Sequence, residues 1–243
     1  MNLGYACINS YFSSLPKSQR ITTNRSMIRR TFDQRGIAYA SELALQNIRD
    51  LYAILQWNEE YNIKFFRLSS EFFPWASEYD FKQLPDYEAI CHWATKCGDY
   101  AREHGHRLTS HPGPFNKLTS PTERVVLNTI KDLEIHGRFF DLLGLPRSPY
   151  AKLNIHVGAH YNDKQMAIAN FCRNFERLSD GVRSRLTVEN DDKASLYSTK
   201  ELYDEIYKRI GIPIVHDVHH HKFCTGGIDD EEAMLTAAVT WGD

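Results

Sequence analysis

The chain has 243 residues, of which 42% are hydrophobic and 25% are charged, and its formal net charge is −2. This length can bury a full core and is typical of one α/β barrel. The near-neutral charge excludes nucleic-acid binding through overall charge, so any such binding requires a local basic patch. No apolar run approaches the roughly 20 residues that cross a bilayer, and the first residues lack the pattern of a secretory signal.

Five cysteines form no C-x-x-C pair, and their odd number leaves at least one outside any disulfide. This usage is typical of reduced thiols and argues against a disulfide framework. We therefore expect a cytoplasmic protein with no membrane partner. The cysteines are Cys7, Cys91, Cys97, Cys172 and Cys224.

Short apolar runs alternate with amphipathic segments of helical length along the chain. The sequence predicts strands over residues 2–8, 64–70, 107–110, 153–157, 186–189 and 212–215. It predicts helices over residues 40–61, 87–104, about 121–144, 165–178, 198–210 and 229–240. Residues 9–39 are predicted to form a polar, basic loop.

This alternation predicts an α/β fold of the TIM-type (β/α) barrel class, in which about six β–α units are visible. A closed barrel of this type has eight strands. Because an open sheet edge is a liability, we expect a single barrel domain over residues 1–243 that is truncated before its last two strands.

Four of the predicted strands deliver a residue that binds hard or borderline metal ions. His111 follows the third strand, His156 lies in the fourth, Glu189 ends the fifth and Asp217 follows the sixth. Side chains at the carboxyl ends of barrel strands meet on one face, so these residues predict a polynuclear metal site. Imidazole and carboxylate without thiolate suit Mn, Zn or Fe ions.

Glu189 ends an apolar run, and a carboxylate in that position is nearly always paired, ligating or catalytic because burying it alone is costly. We expect it to bridge two metal ions. Asp191 and Asp192 follow in the loop, where we expect them to be solvated or to cap the next helix.

Three histidines close behind Asp217 have roles that the spacing leaves open. In an extended segment, Asp217 would share a face with His219 and His221. A turn beginning at Val218 would instead bring Asp217 next to His220. A run of histidines can also be an accidental surface cluster.

Ions in such a site lower the pKa of bound water and can stabilise the attacking and leaving oxygens of a phosphoryl displacement. The sequence contains no P-loop, no G-x-G-x-x-G and no G-x-S-x-G. Nucleotide-cofactor and serine-hydrolase functions therefore have no support from motifs.

Residues 17–35 carry a net charge of +5 in an otherwise neutral protein. A basic segment that follows the first strand could bind a phosphate backbone beside the metal site. A solvated, flexible loop explains the same charges equally well. The basic residues are Lys17, Arg20, Arg25, Arg29, Arg30 and Arg35.

Seven stretches in chain order resemble the UV damage endonuclease family. The first three are Leu3–Cys7 with Asn9, Thr22–Arg25 and Phe66–Ser70. The others are Ser110–Gly113, Asn154–Gly158, Val188–Asp191 and Asp217–His221. They extend over most of the chain, which makes the resemblance specific.

The resemblance implies a TIM barrel similar to endonuclease IV, with up to three divalent metal ions, commonly Mn²⁺. It also implies incision of DNA immediately 5′ of pyrimidine dimers and 6-4 photoproducts. The positions that match metal ligands of the family are His111, His156, Glu189, Asp217 and His220. We expect Glu189 and Asp217 to be the catalytic residues.

The expected partner is damaged double-stranded DNA, bound by a monomer. The predicted DNA-contacting residues are Tyr5, Asn9, Asn24, Arg25, Pro114 and Phe115. Tyr5 and Asn9 match family residues near the damaged site. Pro114 and Phe115 stand where some members have a Gln-Tyr pair, so the aromatic side chain is retained and its polar partner is lost.

The predicted function is therefore a metal-dependent DNA repair endonuclease, a phosphodiester hydrolase. The family pattern continues after Gly242 into two further strands that carry more ligands, so an incomplete metal centre is expected in this chain. Two alternatives stay open. One is a catalytically inactive, truncated domain that binds damaged DNA, and the other is a metal-dependent sugar isomerase-like barrel with a neutral, narrow pocket.

Overall fold

The structure is a computed structural model that describes residues 3–242. The chain divides into two compact units. The first runs up to His111 and includes residues 138–146, and the second comprises residues 112–137 together with residues from 147 onward. Asn2, which belongs to the predicted first strand, lies outside the described residues.

Three parallel strands form the sheet of the first unit. They are β1 (Gly4–Ala6), β2 (Phe65–Leu68) and β3 (Arg107–Ser110), with β2 between the other two. The backbones of β1 and β2 approach closely at Gly4, where an added Cβ would clash with the carbonyl oxygen of Phe65. The predicted strands are confirmed, although the first two are shorter than expected.

The helices of the first unit pack their apolar residues against one another. They are α1 (Ser10–Ser14), α2 (Arg29–Glu60) and α3 (Tyr87–Glu103), with short 3-10 turns at 17–19, 76–78 and 81–83. Buried residues of α2 and α3 follow helical spacing, as the sequence predicts. They include Ile48, Leu51, Leu55, Ile90, Ala94 and Cys97.

The prediction of one continuous loop over residues 9–39 is wrong. Asn9 caps α1, because its side chain accepts a hydrogen bond of 3.1 Å from the backbone N–H of Phe12. Helix α2 already begins at Arg29 and is kinked at Gly36, whose φ is 63°. Its first turns are mostly exposed and polar, so they lack the apolar periodicity that marks a helix in sequence.

Three parallel strands also form the sheet of the second unit. They are β4 (Leu153–His156), β5 (Leu186–Glu189) and β6 (Ile214–Val215), with β5 in the middle. All residues of β5 are buried. The helices from α4 onward are α4 (Glu123–Leu142), α5 (Lys164–Phe175), α6 (Asp180–Arg183), α7 (Thr199–Leu202), α8 (Lys208–Ile210), α9 (Val218–His221) and α10 (Asp230–Ala238).

The predicted helix over residues 198–210 is present with one irregular turn. Its start is a capping box, in which the Ser198 side chain accepts from the N–H of Glu201 and the Glu201 side chain accepts from the N–H of Ser198. A π-helical turn, Tyr203–Tyr207, separates α7 from α8. Gly211, with a φ of 68°, ends the helix before β6.

Two further findings concern the cysteines and the length and apolarity of the helices. Each of the five cysteines is a free thiol, as the sequence predicts. Among residues 3–242, no helix combines the length and the apolar character needed to cross a membrane.

Candidate metal centre

The carboxyl ends of β4 and β5 bring His156 and Glu189 side by side. The two residues are direct partners in the parallel register of the strands. The Nε2 atom of His156 lies 3.8 Å from Oε1 of Glu189. Strand pairing alone therefore places an imidazole next to a carboxylate at the carboxyl ends of β4 and β5.

The Glu189 carboxylate is buried and is held in a fixed orientation. Only 7% of the residue is exposed. The amide of Asn154 donates a hydrogen bond to Oε2, and the Thr187 hydroxyl in turn donates to Oδ1 of Asn154 over 2.8 Å. These partners hold one carboxylate oxygen, so that Oε1 is turned towards the neighbouring imidazoles.

Asp217 caps a short helix that delivers His220. Its side chain accepts hydrogen bonds from the N–H groups of His219 and His220, at 2.7 and 2.9 Å. This turn places Nδ1 of His220 3.4 Å from Oε1 of Glu189. The chain therefore adopts the turn that pairs Asp217 with His220 and not the extended alternative.

Asn190 fixes Asp217 and His220 in place, and sequence reasoning did not identify it. Its side chain accepts from the N–H of Asp217 at 2.7 Å and donates to the carbonyl of Asp217 at 3.0 Å. Its own carbonyl lies 2.9 Å from Nδ1 of His220. An amide directly after the strand-ending carboxylate was the available signal, but only strand pairing reveals its partner.

Asp191 orients His156 from behind. The expectation that Asp191 is solvated or caps a helix is wrong, because the residue is only 5% exposed and its Oδ1 lies 3.3 Å from Nδ1 of His156. A carboxylate on one imidazole nitrogen directs the other nitrogen, a pattern common among metal-binding histidines. Burial alone would lower the pKa of His156, but Asp191 and Glu189 outweigh it and raise this pKa.

The donor set of this centre fits a divalent metal ion. Glu189, Asp217 and His220 each offer one ligand atom, and these atoms all lie within 4.8 Å of one another. Burial would raise the pKa of Asp217, yet the N–H groups and imidazoles of His219 and His220 lower it, which keeps its carboxylate charged. Two carboxylates and an imidazole suit hard or borderline divalent ions.

Four of the five predicted ligands therefore belong to one centre in the second unit: His156, Glu189, Asp217 and His220. The fifth, His111, directly follows β3 in the first unit and is half-buried. Its position at the carboxyl end of a strand is the one that the sequence predicts, and its role as a ligand stays a prediction.

Tyr5 and Asn9 form a fixed polar pair in the first unit. The Tyr5 hydroxyl donates to Oδ1 of Asn58 over 2.7 Å and accepts from the amide of Asn9 over 2.8 Å. Burial raises the pKa of Tyr5, so the phenol stays neutral at physiological pH. Their predicted contact with DNA stays a prediction.

Arg25 and Asn24 are engaged within the first unit. The Arg25 guanidinium contacts Asp50 at 2.5 Å and the carbonyl oxygen of Thr22 at 2.6 Å. The Asn24 amide donates to the carbonyl of Cys7 over 3.0 Å. Both side chains thus order the basic segment, and their predicted role in DNA binding stays a prediction.

Pro114 and Phe115 lie on an exposed turn of the second unit. The aromatic residue, Phe115, is 87% exposed. The turn is anchored by the next residue, Asn116, whose amide donates to the carbonyl of Gly113 at 3.0 Å and to Asp132 at 2.8 Å. The turn therefore presents the Phe115 ring to solvent, and the predicted contact of Pro114 and Phe115 with DNA stays a prediction.

A family model described as UV-endonuclease UvdE matches residues 1–243. The chain belongs to this family. UV-damage endonucleases of Neurospora crassa and Schizosaccharomyces pombe are each 34% identical to it over 98% of its length. The chain covers 42% of the first protein and 40% of the second, so it spans about two fifths of the length of these relatives.

Solved structures identify the fold of this UvdE family member. The crystal structure of SacUVDE matches with a TM-score of 0.86 and 30% identity, over 100% of this chain and 78% of that chain. A D-psicose 3-epimerase from Clostridium cellulolyticum H10 matches with a TM-score of 0.57 and 12% identity, over 79% of this chain and 65% of that chain. The second likeness concerns the fold alone. The predicted α/β fold of barrel type is confirmed.

Proposed function

We propose that this chain is a metal-dependent DNA repair endonuclease, which cuts a DNA strand on the 5′ side of UV photoproducts such as pyrimidine dimers and 6-4 photoproducts. The observation that carries the proposal is the convergence of Glu189, Asp217 and His220 donor atoms within 4.8 Å, in a chain that belongs to the UvdE family.

The proposed ligands of the divalent ions are His111, His156, Glu189, Asp217 and His220. Mn²⁺ is the proposed ion, with up to three ions in the centre. The mixture of nitrogen and oxygen donors supports this choice. Such ions supply Lewis-acid stabilisation of the phosphate and make water more acidic.

Glu189 and Asp217 are the proposed catalytic carboxylates. Each carboxylate accepts hydrogen bonds from groups outside the donor atoms of the centre: the Asn154 amide for Glu189, and two backbone N–H groups for Asp217. Asp191 and Asn190 act as positioning residues, because they contact His156 and Asp217 from outside the donor set. Fixed ligands reduce the reorganisation that the reaction requires.

The proposed partner is damaged double-stranded DNA, bound by a monomer. Phe115 would stack on an unpaired base, since exposed aromatic rings provide stacking surfaces without sequence preference. Basic residues of the 17–35 segment would attract the phosphate backbone. The other proposed contacts are Tyr5, Asn9, Asn24, Arg25 and Pro114.

A nicking assay on UV-irradiated duplex DNA with Mn²⁺ tests the proposal, with undamaged duplex alongside. We expect incision of the irradiated duplex only. Glu189→Gln should reduce incision by at least about a hundredfold, because changing residues that merely support metal ligands already costs 10–100-fold. Glu88→Gln, on the exposed face of α3, is the matched control and should retain full activity.

Each other outcome contradicts a distinct part of the proposal. Salt-sensitive binding to irradiated DNA without incision would indicate a domain that only recognises damage. A lack of any interaction with DNA would favour the chemistry of a metal-dependent isomerase. Equal incision by the wild type and Glu189→Gln would exclude this centre as the source of the activity.

A further inference from the structure

The segment from His216 to His221 presents two different faces. Asp217 and His220 belong to the candidate metal centre. The residues at the two ends of the segment, His216 and His221, form a second cluster with Asp230. The ligand atoms of this second cluster also lie within 4.8 Å of one another.

The imidazole of His216 is buried. One of its nitrogens contacts Thr199, and the other faces Asp230. The His216 side chain is 5% exposed, and Nδ1 lies 2.9 Å from the hydroxyl of Thr199. The other nitrogen, Nε2, is buried without a hydrogen-bond partner in the described part of the chain and lies 3.8 Å from Oδ1 of Asp230. Leaving a buried polar atom without a partner is costly, so such an atom calls for an explanation.

His221 lies near the same carboxylate oxygen of Asp230. Its side chain is 4% exposed, and Nε2 lies 3.9 Å from Oδ1 of Asp230 and 3.1 Å from the carbonyl oxygen of Ile228. The rings of His216 and His221 have their centroids 5.1 Å apart. The Asp230 side chain is 49% exposed, so the cluster is reachable from solvent.

We propose that His216, His221 and Asp230 bind a borderline divalent transition metal ion, with Zn²⁺ the best match, at an accessory site separate from the candidate centre. Two imidazoles and one carboxylate are a common zinc donor set. The orphaned nitrogen of His216 points at the place where the ion would bind.

The distances leave room for an ion between the donors. Zinc bonds of 2.0–2.1 Å in tetrahedral geometry place neighbouring donors roughly 3.3 Å apart. The observed separations of 3.8 and 3.9 Å are longer than a hydrogen bond and exceed this value by a few tenths of an ångström. The exposed Asp230 side chain can close this gap by a small movement.

An ion in this position would connect three elements. His216 follows β6, His221 ends α9 and Asp230 begins α10. Asp217 and His220 lie between the two histidines in sequence. The accessory ion would therefore stabilise the turn that carries two ligands of the candidate centre, without depending on whether the chain cuts DNA.

Zinc content after dialysis against Zn²⁺, measured by mass spectrometry, tests the accessory site in the full chain. We expect His216→Gln to contain one zinc ion fewer than the wild type. Asp230→Asn should bind this ion at least about tenfold more weakly in calorimetry. His92→Gln, an exposed histidine on α3, is the matched control and should bind as the wild type does.

Two further arms keep the experiment decisive. Glu189→Gln should retain the accessory ion, which distinguishes this site from the candidate centre. Asp230→Asn changes a half-exposed residue, so it tests the site even if His216→Gln does not fold. Equal zinc content and affinity in the wild type, His216→Gln and Asp230→Asn would overturn the proposal.

Discussion

The candidate metal centre and the basic segment, residues 17–35, use their polar side chains in opposite ways. At the centre, supporting residues such as Asn154 and Asp191 hold the ligands from outside, and donor atoms face one another across a few ångströms. In the basic segment, side chains that are predicted to bind DNA instead hold neighbouring parts of the first unit in place. Arg25 holds Asp50 and two backbone carbonyls.

A count of charged residues in the sequence therefore overestimates how many of them are available to bind a partner. Arg29 pairs with Asp33 and Glu78, at 2.7 and 3.5 Å. Arg35 lies over the ring of Tyr39, 3.2 Å from its centroid. Within the described residues, the exposed Arg30 of this segment has no ion pair. Net charge therefore says less about DNA binding than the partners of each arginine do.

The largest expected effect concerns a support of the metal centre. Asn190→Ala removes both side-chain hydrogen bonds to Asp217. We expect the affinity for Mn²⁺ to fall about 10–100-fold, as is typical when a residue that orients metal ligands is lost. Calorimetric titration measures the change, and Asn128→Ala on the exposed face of α4 is the control. Unchanged affinity would show that Asn190 is not needed to position Asp217.

Arg25→Ala tests whether the basic segment depends on its own arginine for structure. The change leaves the Asp50 carboxylate, whose side chain is 9% exposed, without its ion pair. We expect a loss of about 2 kcal/mol in the free energy of unfolding, since hydrogen bonds to charged groups are worth about 1.5–3 kcal/mol. Chemical denaturation provides the measurement. A variant as stable as the wild type would mean that Arg25 is available for DNA alone.

The fold and the main donor set were predictable because both follow from periodicity. Strand-ending residues at 156, 189 and 217 share one edge of a parallel sheet whatever the details of the helices. The supports were not predictable, since Asn154 meets Glu189 only through the register of β4 and β5. Likewise, the exposed first turns of α2 carry no apolar pattern, so the sequence predicts a loop there.

Arg30→Ala should have a smaller effect that appears only in DNA binding. Because Arg30 is exposed, its loss leaves the fold intact. If it contacts a phosphate, the slope of log K against log salt should decrease by about 0.9. Binding to irradiated duplex at several salt concentrations gives this slope. An identical slope in the wild type and the variant would place Arg30 outside the DNA-binding surface.

The smallest expected effect is on the pH dependence of stability. It depends on the difference in pKa between two histidines that each contact a carboxylate. His106 lies 2.7 Å from Glu59, as His156 lies 3.3 Å from Asp191. Burial lowers the pKa of His106 more than Glu59 raises it, whereas at His156 the carboxylates prevail over burial. Asp191, Glu189 and Asp192 all raise the pKa of His156, whereas at His106 the positive charges of Lys64 and His104 add to the effect of burial and oppose Glu59, which accounts for the difference.

A lowered folded-state pKa at His106 makes the protein less stable in acid. Below the ordinary histidine pKa of about 6.5, the unfolded chain binds a proton that folded His106 does not. Stability should therefore be full above that pH and should fall as the pH decreases towards the folded pKa. His106→Gln should flatten this part of the unfolding profile, while His92→Gln should leave it unchanged. A profile that His106→Gln does not alter would mean that His106 titrates alike in both states, and that Glu59 fully offsets the effect of burial on its pKa.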